Sequence, residues 1–357
     1  MKKEKLLLLS SILLLSLGVN SCTFLEKSNV DFQEQIIKSL LSEPRFVEAE
    51  LLVIIKNIEI LNGDSLIANN KRMGIPENTP PTFRLWSSQP KEYINQRDVQ
   101  YLGVSPAPTE SFTEDENQNL IYYWDLMKSL KTGDSLVISR KVRYTLYNLK
   151  TPENIDQIDP NAFFEDDPAR FLISEDFIEI TDSIKEKAAE ITAGETNSVK
   201  KTKLIYDWVN GNMKYTWNVP ERSARSALKT CSGDCGQYSY LFIALCRASG
   251  IPARLVSGFM LAPDTSSYHV WSEVQFPGTG WLPVDCTDKN GFLSLDNRRL
   301  VTSRGMNIPL FNVPDWADYK NSEAKDDHTD FMQMVTVVMS GVKANIRTQR
   351  IILKYSK

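Results

Sequence analysis

Residues 231–252 read CSGDCGQYSYLFIALCRASGIP, and the fold turns on how this stretch is read. After Cys235 and Gly236, the residues Tyr238, Leu241, Phe242, Leu245 and Ser249 recur at helical spacing. Gly250, with Pro252 just beyond it, closes that helix in the usual way. Cys235 is therefore expected in the first turn of a mostly buried helix, where unpaired N–H groups and the helix dipole favour a thiolate. The same amides are placed to stabilise an oxyanion on a substrate carbonyl. Ser232, Gly233 and Gly236 are small enough to let a substrate approach the sulfur. Cys231, four residues earlier, leaves three readings open. It could be a zinc ligand with Cys235, His269 and either Asp285 or Cys286, although structural zinc sites favour cysteine pairs in small knuckles. It could bridge Cys235 and silence it, or it could be a bystander. Cys246, farther along the helix near its apolar stripe, reads as a core residue.

A thiolate needs a base, and the chain has two histidines, His269 and His328. In YHVWSEV (268–274), strand alternation puts His269, Trp271 and Glu273 on one face. The next apolar segment, GWLPVDCT (280–287), follows a turn-like PGTG and ends at Asp285. If the two strands are antiparallel neighbours, Asp285 can orient the His269 imidazole and stabilise its cation. Trp271 and Glu273 either line a cleft or pack a sheet face. Tyr215 and Trp217 are candidates for a further oxyanion donor or for core aromatics. His328, within KDDHTD, reads as a solvated loop residue.

The ordered segments GDCGQYSYLFIALCRASGIPARLVSGF, YHVWSEV and GWLPVDCT, led by IYDWVNGNMKYTW, closely resemble the core of the transglutaminase-like superfamily over residues 175–310. That resemblance implies a papain-like α+β fold with a Cys-His-Asp triad falling on Cys235, His269 and Asp285. Arg254, in the same pattern, is expected to pin structure. Where the family commonly has DPT this chain has DCT, so Cys286 replaces a proline.

Outside that core, residues 29–41 and FVEAELLVIIKNIEIL (46–61) read as helices, the second closed by NGDS. Residues 70–118 are rich in Pro, Asn and Ser and read as loops with short strands. GDSLVISRKVRYTLYNL (133–149) alternates as a strand. DSIKEKAAEIT (182–192) and the segment from Glu195 read as helices, the latter with Val199, Leu204, Ile205, Trp208 and Val209 on its stripe. The tail carries two strand candidates around Ser340–Gly341. At the other end, MKKEK, an apolar run and VNSC form a secretory leader ending at a lipobox-like Cys22, expected to be acylated.

The expected organisation is a signal peptide at 1–21 and a lipid-anchored tether at 22–28. A helical-then-β N-terminal domain follows at 29–170, a transglutaminase-like core with helices on an antiparallel sheet at 171–312, and completing strands at 313–357. Net charge is −4, with no Lys/Arg run, which argues against nucleic acid as a partner. The expected function is a cell-envelope thiol enzyme cleaving peptide or protein amides through a thioester, hydrolysis being favoured over cross-linking. Its substrate would be a protein or peptide, with peptidoglycan or glycopeptide among the options, its membrane contact the lipid on Cys22. No cofactor or metal is implied. The competing expectation is a catalytically silent envelope lipoprotein using the same fold to bind glycan, peptide or protein.

Overall fold

A computed structural model describes residues 38–151, 153–155, 167–219, 221–263, 265–317, 324–325 and 328–356. The leader, Cys22, the tether and the helix expected from Asn29 fall outside these residues as far as position 37.

The second expected helix is a strand. β1 (Leu41–Ile60) runs for 20 residues, with Val47, Ala49, Leu51, Val53 and Ile55 buried at every second position. Leu52 and Ile54 lie on its other face and are half-buried, so the 51–55 run is apolar on both sides and its period is ambiguous. The β-branched Val53, Ile54 and Ile55 favour the extended form, and pairing on both sides secures it. The helix comes afterwards, as α1 (Gly63–Met73), where a turn was expected.

The loop-like region holds β2 (Thr82–Gln89), β3 (Gln96–Ser105) and β4 (Glu110–Thr113), followed by β5 (Leu120–Asp125) and β6 (Leu136–Leu149). The two tail strands, β16 (Thr336–Ser340) and β17 (Val342–Tyr355), return to this half of the molecule. One sheet has the order β17-β1-β6-β3 and the other β16-β2-β5-β4. They face each other across Val53, Ile55, Phe83, Leu85, Trp124 and Ile138, which forms a sandwich core.

Between these strands lies the helix-and-sheet half. Helices α2 (Asp182–Ile191), α3 (Ser198–Asn212) and α4 (Ala224–Thr230) surround α5 (Cys235–Ala248). Two-residue strands β7 (Lys214–Tyr215) and β8 (Ser232–Gly233) pair beside them. On α3 the buried stripe is Val199, Thr202, Ile205, Tyr206 and Val209. Leu204, expected on the stripe, is exposed, and Trp208 is partly buried. The antiparallel sheet is β11-β10-β9-β12, from β9 (Ala253–Ala262), β10 (Thr265–Phe276), β11 (Gly280–Val284) and β12 (Arg299–Arg304). Leu241, Phe242 and Leu245 of α5 pack on Leu255, Val270 and Val274 of that sheet, so the expected α+β core of helices on an antiparallel sheet is present. Three further short strands, β13 (Ile308–Pro309), β14 (Ala324–Lys325) and β15 (His328–Thr329), lead toward the tail.

The halves interlock. Leu149 and Leu295 exchange backbone hydrogen bonds of 2.8 and 3.1 Å. Tyr93 donates to Glu273 Oε2 at 2.6 Å, and Arg254 bonds the other oxygen of the same buried carboxylate. Glu273 and Trp271 are thus sheet-packing residues, and Arg254 pins structure as expected.

Candidate functional site

The helix α5 begins at a tightly built corner. Asp234 is its N-cap, Oδ1 accepting from the Gly236 and Gln237 amides at 2.9 and 3.4 Å. Arg222 donates to Asp234 Oδ2 at 2.7 Å, so the capping carboxylate is itself held. Gly233 must be glycine here, because a Cβ would lie 2.3 Å from Gln237 Cβ. The cap narrows the choice of oxyanion donor. Two first-turn amides serve the cap, and the amide left for an oxyanion is that of Cys235 itself, near the Tyr215 phenol.

Tyr215 is brought there by β7, where the amides of Lys214 and of Thr216 just beyond it donate to the Cys231 and Gly233 carbonyls, both at 2.9 Å. Burial pushes its phenol up to about 12, helped by the charges of Cys235 and Asp234. Trp217 is 78% exposed and meets Tyr215 edge-on at 5.4 Å. Cys231 ends α4 in a left-handed turn (φ 45°) and, like Cys235, is a half-buried free thiol.

His269 comes from β10. The pairing of Ser272 with Val284 sets Asp285 just past the end of β11, diagonal to His269 on the same face. His269 Nε2 bonds Asp285 Oδ2 at 2.7 Å, with the two residues only 6% and 1% exposed. The imidazole also meets the Cys235 thiol, for which Nδ1 remains. Burial alone would lower the imidazole. The Asp285 charge and hydrogen bond outweigh it, Cys235 adds to them, and the net shift is upward to about 9. Asp285 moves the other way: burial raises it, but His269, Arg299 and Thr287 hold its carboxyl well below the usual range.

The sequence reading missed those supports. Arg299 Nη2 donates to Asp285 Oδ2 at 2.9 Å, while the Thr287 amide and hydroxyl donate to Oδ1 at 3.0 and 2.6 Å. Thr287 could have been suspected from its place two residues after the aspartate; nothing in the local pattern marks Arg299. Helix α3 steadies the following segment: Asn210 donates to the Cys286 carbonyl at 2.8 Å and Tyr206 to the Asp288 carbonyl at 2.5 Å. Burial pushes the Cys246 and Cys286 thiols up, and both are core residues. His328 is half-buried on β15, opposite Pro309, rather than solvated in a loop. Tyr268, Asp330, Phe331 and Gln333 line a cavity of 260 Å³ that His269 does not enter, and Gln333 donates to the His269 carbonyl at 3.4 Å.

A half-buried thiol at a helix start, next to a buried imidazole–carboxylate pair on an antiparallel sheet, defines an α+β protein of the papain-like kind. Residues 185–286 match the transglutaminase-like superfamily, so the chain carries a domain of that family. It is 28% identical over 174 residues to an uncharacterized protein of Haemophilus influenzae, covering 41% of this chain and 45% of that one. It is 24% identical over 144 residues to the uncharacterized protein YebA of Bacillus subtilis, covering 33% of this chain and 19% of YebA. The chain thus matches less than half the length of either relative. Among solved structures it resembles a candidate cysteine protease from Cytophaga hutchinsonii, with TM-score 0.54 and 16% identity, covering 88% of this chain and 92% of that one. At that identity the likeness is one of fold.

Proposed function

We propose that this chain is a lipid-anchored cell-envelope enzyme that hydrolyses peptide or protein amides through Cys235, His269 and Asp285. The observation that carries the reading is the buried His269–Asp285 pair beside a half-buried thiol at the first turn of α5. In this mechanism the imidazolium is the counter-charge of a thiolate on Cys235, which attacks the amide carbon. The Cys235 amide and the Tyr215 hydroxyl near it donate to the oxyanion. As the C–N bond breaks, His269 gives its proton to the leaving amine and a thioester remains. Water then attacks the thioester, His269 takes a proton from it, and the acid and the thiolate are released. Asp285 keeps the imidazole aligned throughout.

The leader and Cys22 support the anchor, and among the described residues no helix is long and apolar enough to cross a membrane. Iodoacetamide labelling at mildly acidic pH, mapped by mass spectrometry, tests the thiol. Fast modification of Cys235 that is lost in His269→Ala is expected, and labelling no faster than a free thiol would overturn the reading. Peptide libraries incubated with and without a primary amine should yield free acids in both arms; amine adducts as the main product would make the protein a transferase. Cys22→Ser should move the protein from the membrane fraction to the soluble one, and an unchanged distribution would remove the anchor.

A further inference from the structure

Asp234 stands one residue before the proposed nucleophile and is buried, only 6% exposed. As an N-cap it does what serine or asparagine would also do, and either of those would cap without a charge. A carboxylate at this place sets a fixed negative charge beside the sulfur that has to become negative. Like charges so placed oppose each other, and this one works against both the helix terminus and the His269 imidazolium. A thiolate here calls for a compensating cation.

Arg222 comes from the turn that leads into α4, and that turn is fixed on both sides. Gln237 of α5 donates to the Glu221 carbonyl at 3.0 Å, and Ser223 caps α4 by accepting from the Ser226 amide at 2.9 Å. The guanidinium forks onto Asp234, Nη1 to Oδ1 at 3.3 Å and Nη2 to Oδ2 at 2.7 Å. It also lies over Gly236: a Cβ there would stand 3.1 Å from Arg222 Nη1 and 3.0 Å from Asp234 Oδ1. The residue after the nucleophile thus leaves room for the ion pair. Burial would lower the guanidinium, but the Asp234 hydrogen bond and charge outweigh it, and the charges of Tyr240 and Cys235 add to them, so the net shift is upward. The other groups bearing on this corner come from every element around it. They are Tyr240 from α5, Tyr215 from β7, and His269 from β10 with Asp285 behind it, while Asp330, ahead of β16, bears on Tyr240. Of these described groups, Arg222 and His269 are the cations.

We propose that Arg222 is a positioning residue for the thiol: its guanidinium neutralises the Asp234 cap, so that Cys235 gains the helix start without the opposing charge of the carboxylate that builds it. The inference rests on the reading of Cys235 as the nucleophile. Arg222 acts through the charge balance at the sulfur and exchanges no proton, since a guanidinium stays charged throughout the working range.

The test follows iodoacetamide alkylation of Cys235 in the mature chain at pH 6, mapped by mass spectrometry, because the rate tracks the thiolate fraction. Arg222→Met should slow alkylation about three- to tenfold, the size expected for one unit charge close to the surface. Arg222→Lys keeps the charge and should retain most of the rate. Combining Arg222→Met with Asp234→Asn keeps the cap and removes both charges, and should bring the rate back to within about twofold of the wild type. The deficit of Arg222→Met should close toward pH 10, where thiols ionise without help. An undiminished rate in Arg222→Met overturns the proposal, as does a loss in Arg222→Lys as large as that in Arg222→Met. A deficit that Asp234→Asn does not repair, or that persists at pH 10, overturns it too. Should Arg222→Met not fold, Arg222→Gln can still donate to Asp234 but carries no charge, and must show the same deficit and the same repair. The wild-type rate against that of free cysteine tests the catalytic reading separately; the ratios between variants test this inference whatever that rate is.

Discussion

Asp285 receives four hydrogen bonds, two on each oxygen, so its carboxylate has no freedom to turn away from His269. This makes the charge on His269 a stability term with a definite pH window. Its value in the folded protein, about 9, lies above the ordinary 6.5. The stabilisation is therefore fully present below about pH 6.5 and is lost as pH rises through 9. Urea denaturation from pH 6 to 10 should show the stability advantage of the wild type over His269→Gln shrinking by up to ~3 kcal/mol. An advantage that stays flat would mean that the imidazole is neutral in the folded state. Cys235, His269 and Asp285 were legible because each sits at a marked place in a local pattern: a helix start, an alternating strand and a strand end. Arg299 was not legible, because its position opposite Asp285 is made by the β9–β12 pairing and by no spacing along the chain.

At the level of single elements, α5 depends on its first turn. Asp234 satisfies two amides and binds Arg222, and the adjacent Cys235 amide is aimed by the same corner. Asp234→Ala should lower stability by ~1–2 kcal/mol in chemical denaturation, most of it the lost cap, whereas Asp234→Asn should keep most of that energy. Equal losses in the two variants would assign the effect to the Arg222 ion pair instead. The two longest misjudged and well-judged elements differ instructively. In α5 the apolar stripe, Gly250 and Pro252 all point one way. β1 lies in mid-sheet with β6 and β17 on either side, and such a strand loses the polar alternation that would have distinguished it from a helix. Its partner β17 lies at the far end of the chain, where no local window could detect it.

Across the whole molecule, the Tyr93–Glu273–Arg254 cluster joins the sandwich to the helix-and-sheet half. Glu273 is fully buried, so Glu273→Gln leaves the Arg254 charge without its carboxylate and should cost ~3–5 kcal/mol. Scanning calorimetry should show one transition in the wild type and one lower transition in the variant; two resolved transitions would mean that the halves melt independently. The long-range pairing of β1 also has a consequence in time. Val47 is paired with Tyr355, so the first strand must wait for nearly the entire chain to be synthesised before its sheet can close. The sheet bearing His269 pairs wholly within residues 253–304 and can form sooner. As the polypeptide leaves the ribosome, the interior of the molecule is built before its outer frame. Chains truncated near residue 310 and released from the ribosome should already protect Cys235 from proteolysis while leaving β1 open to it.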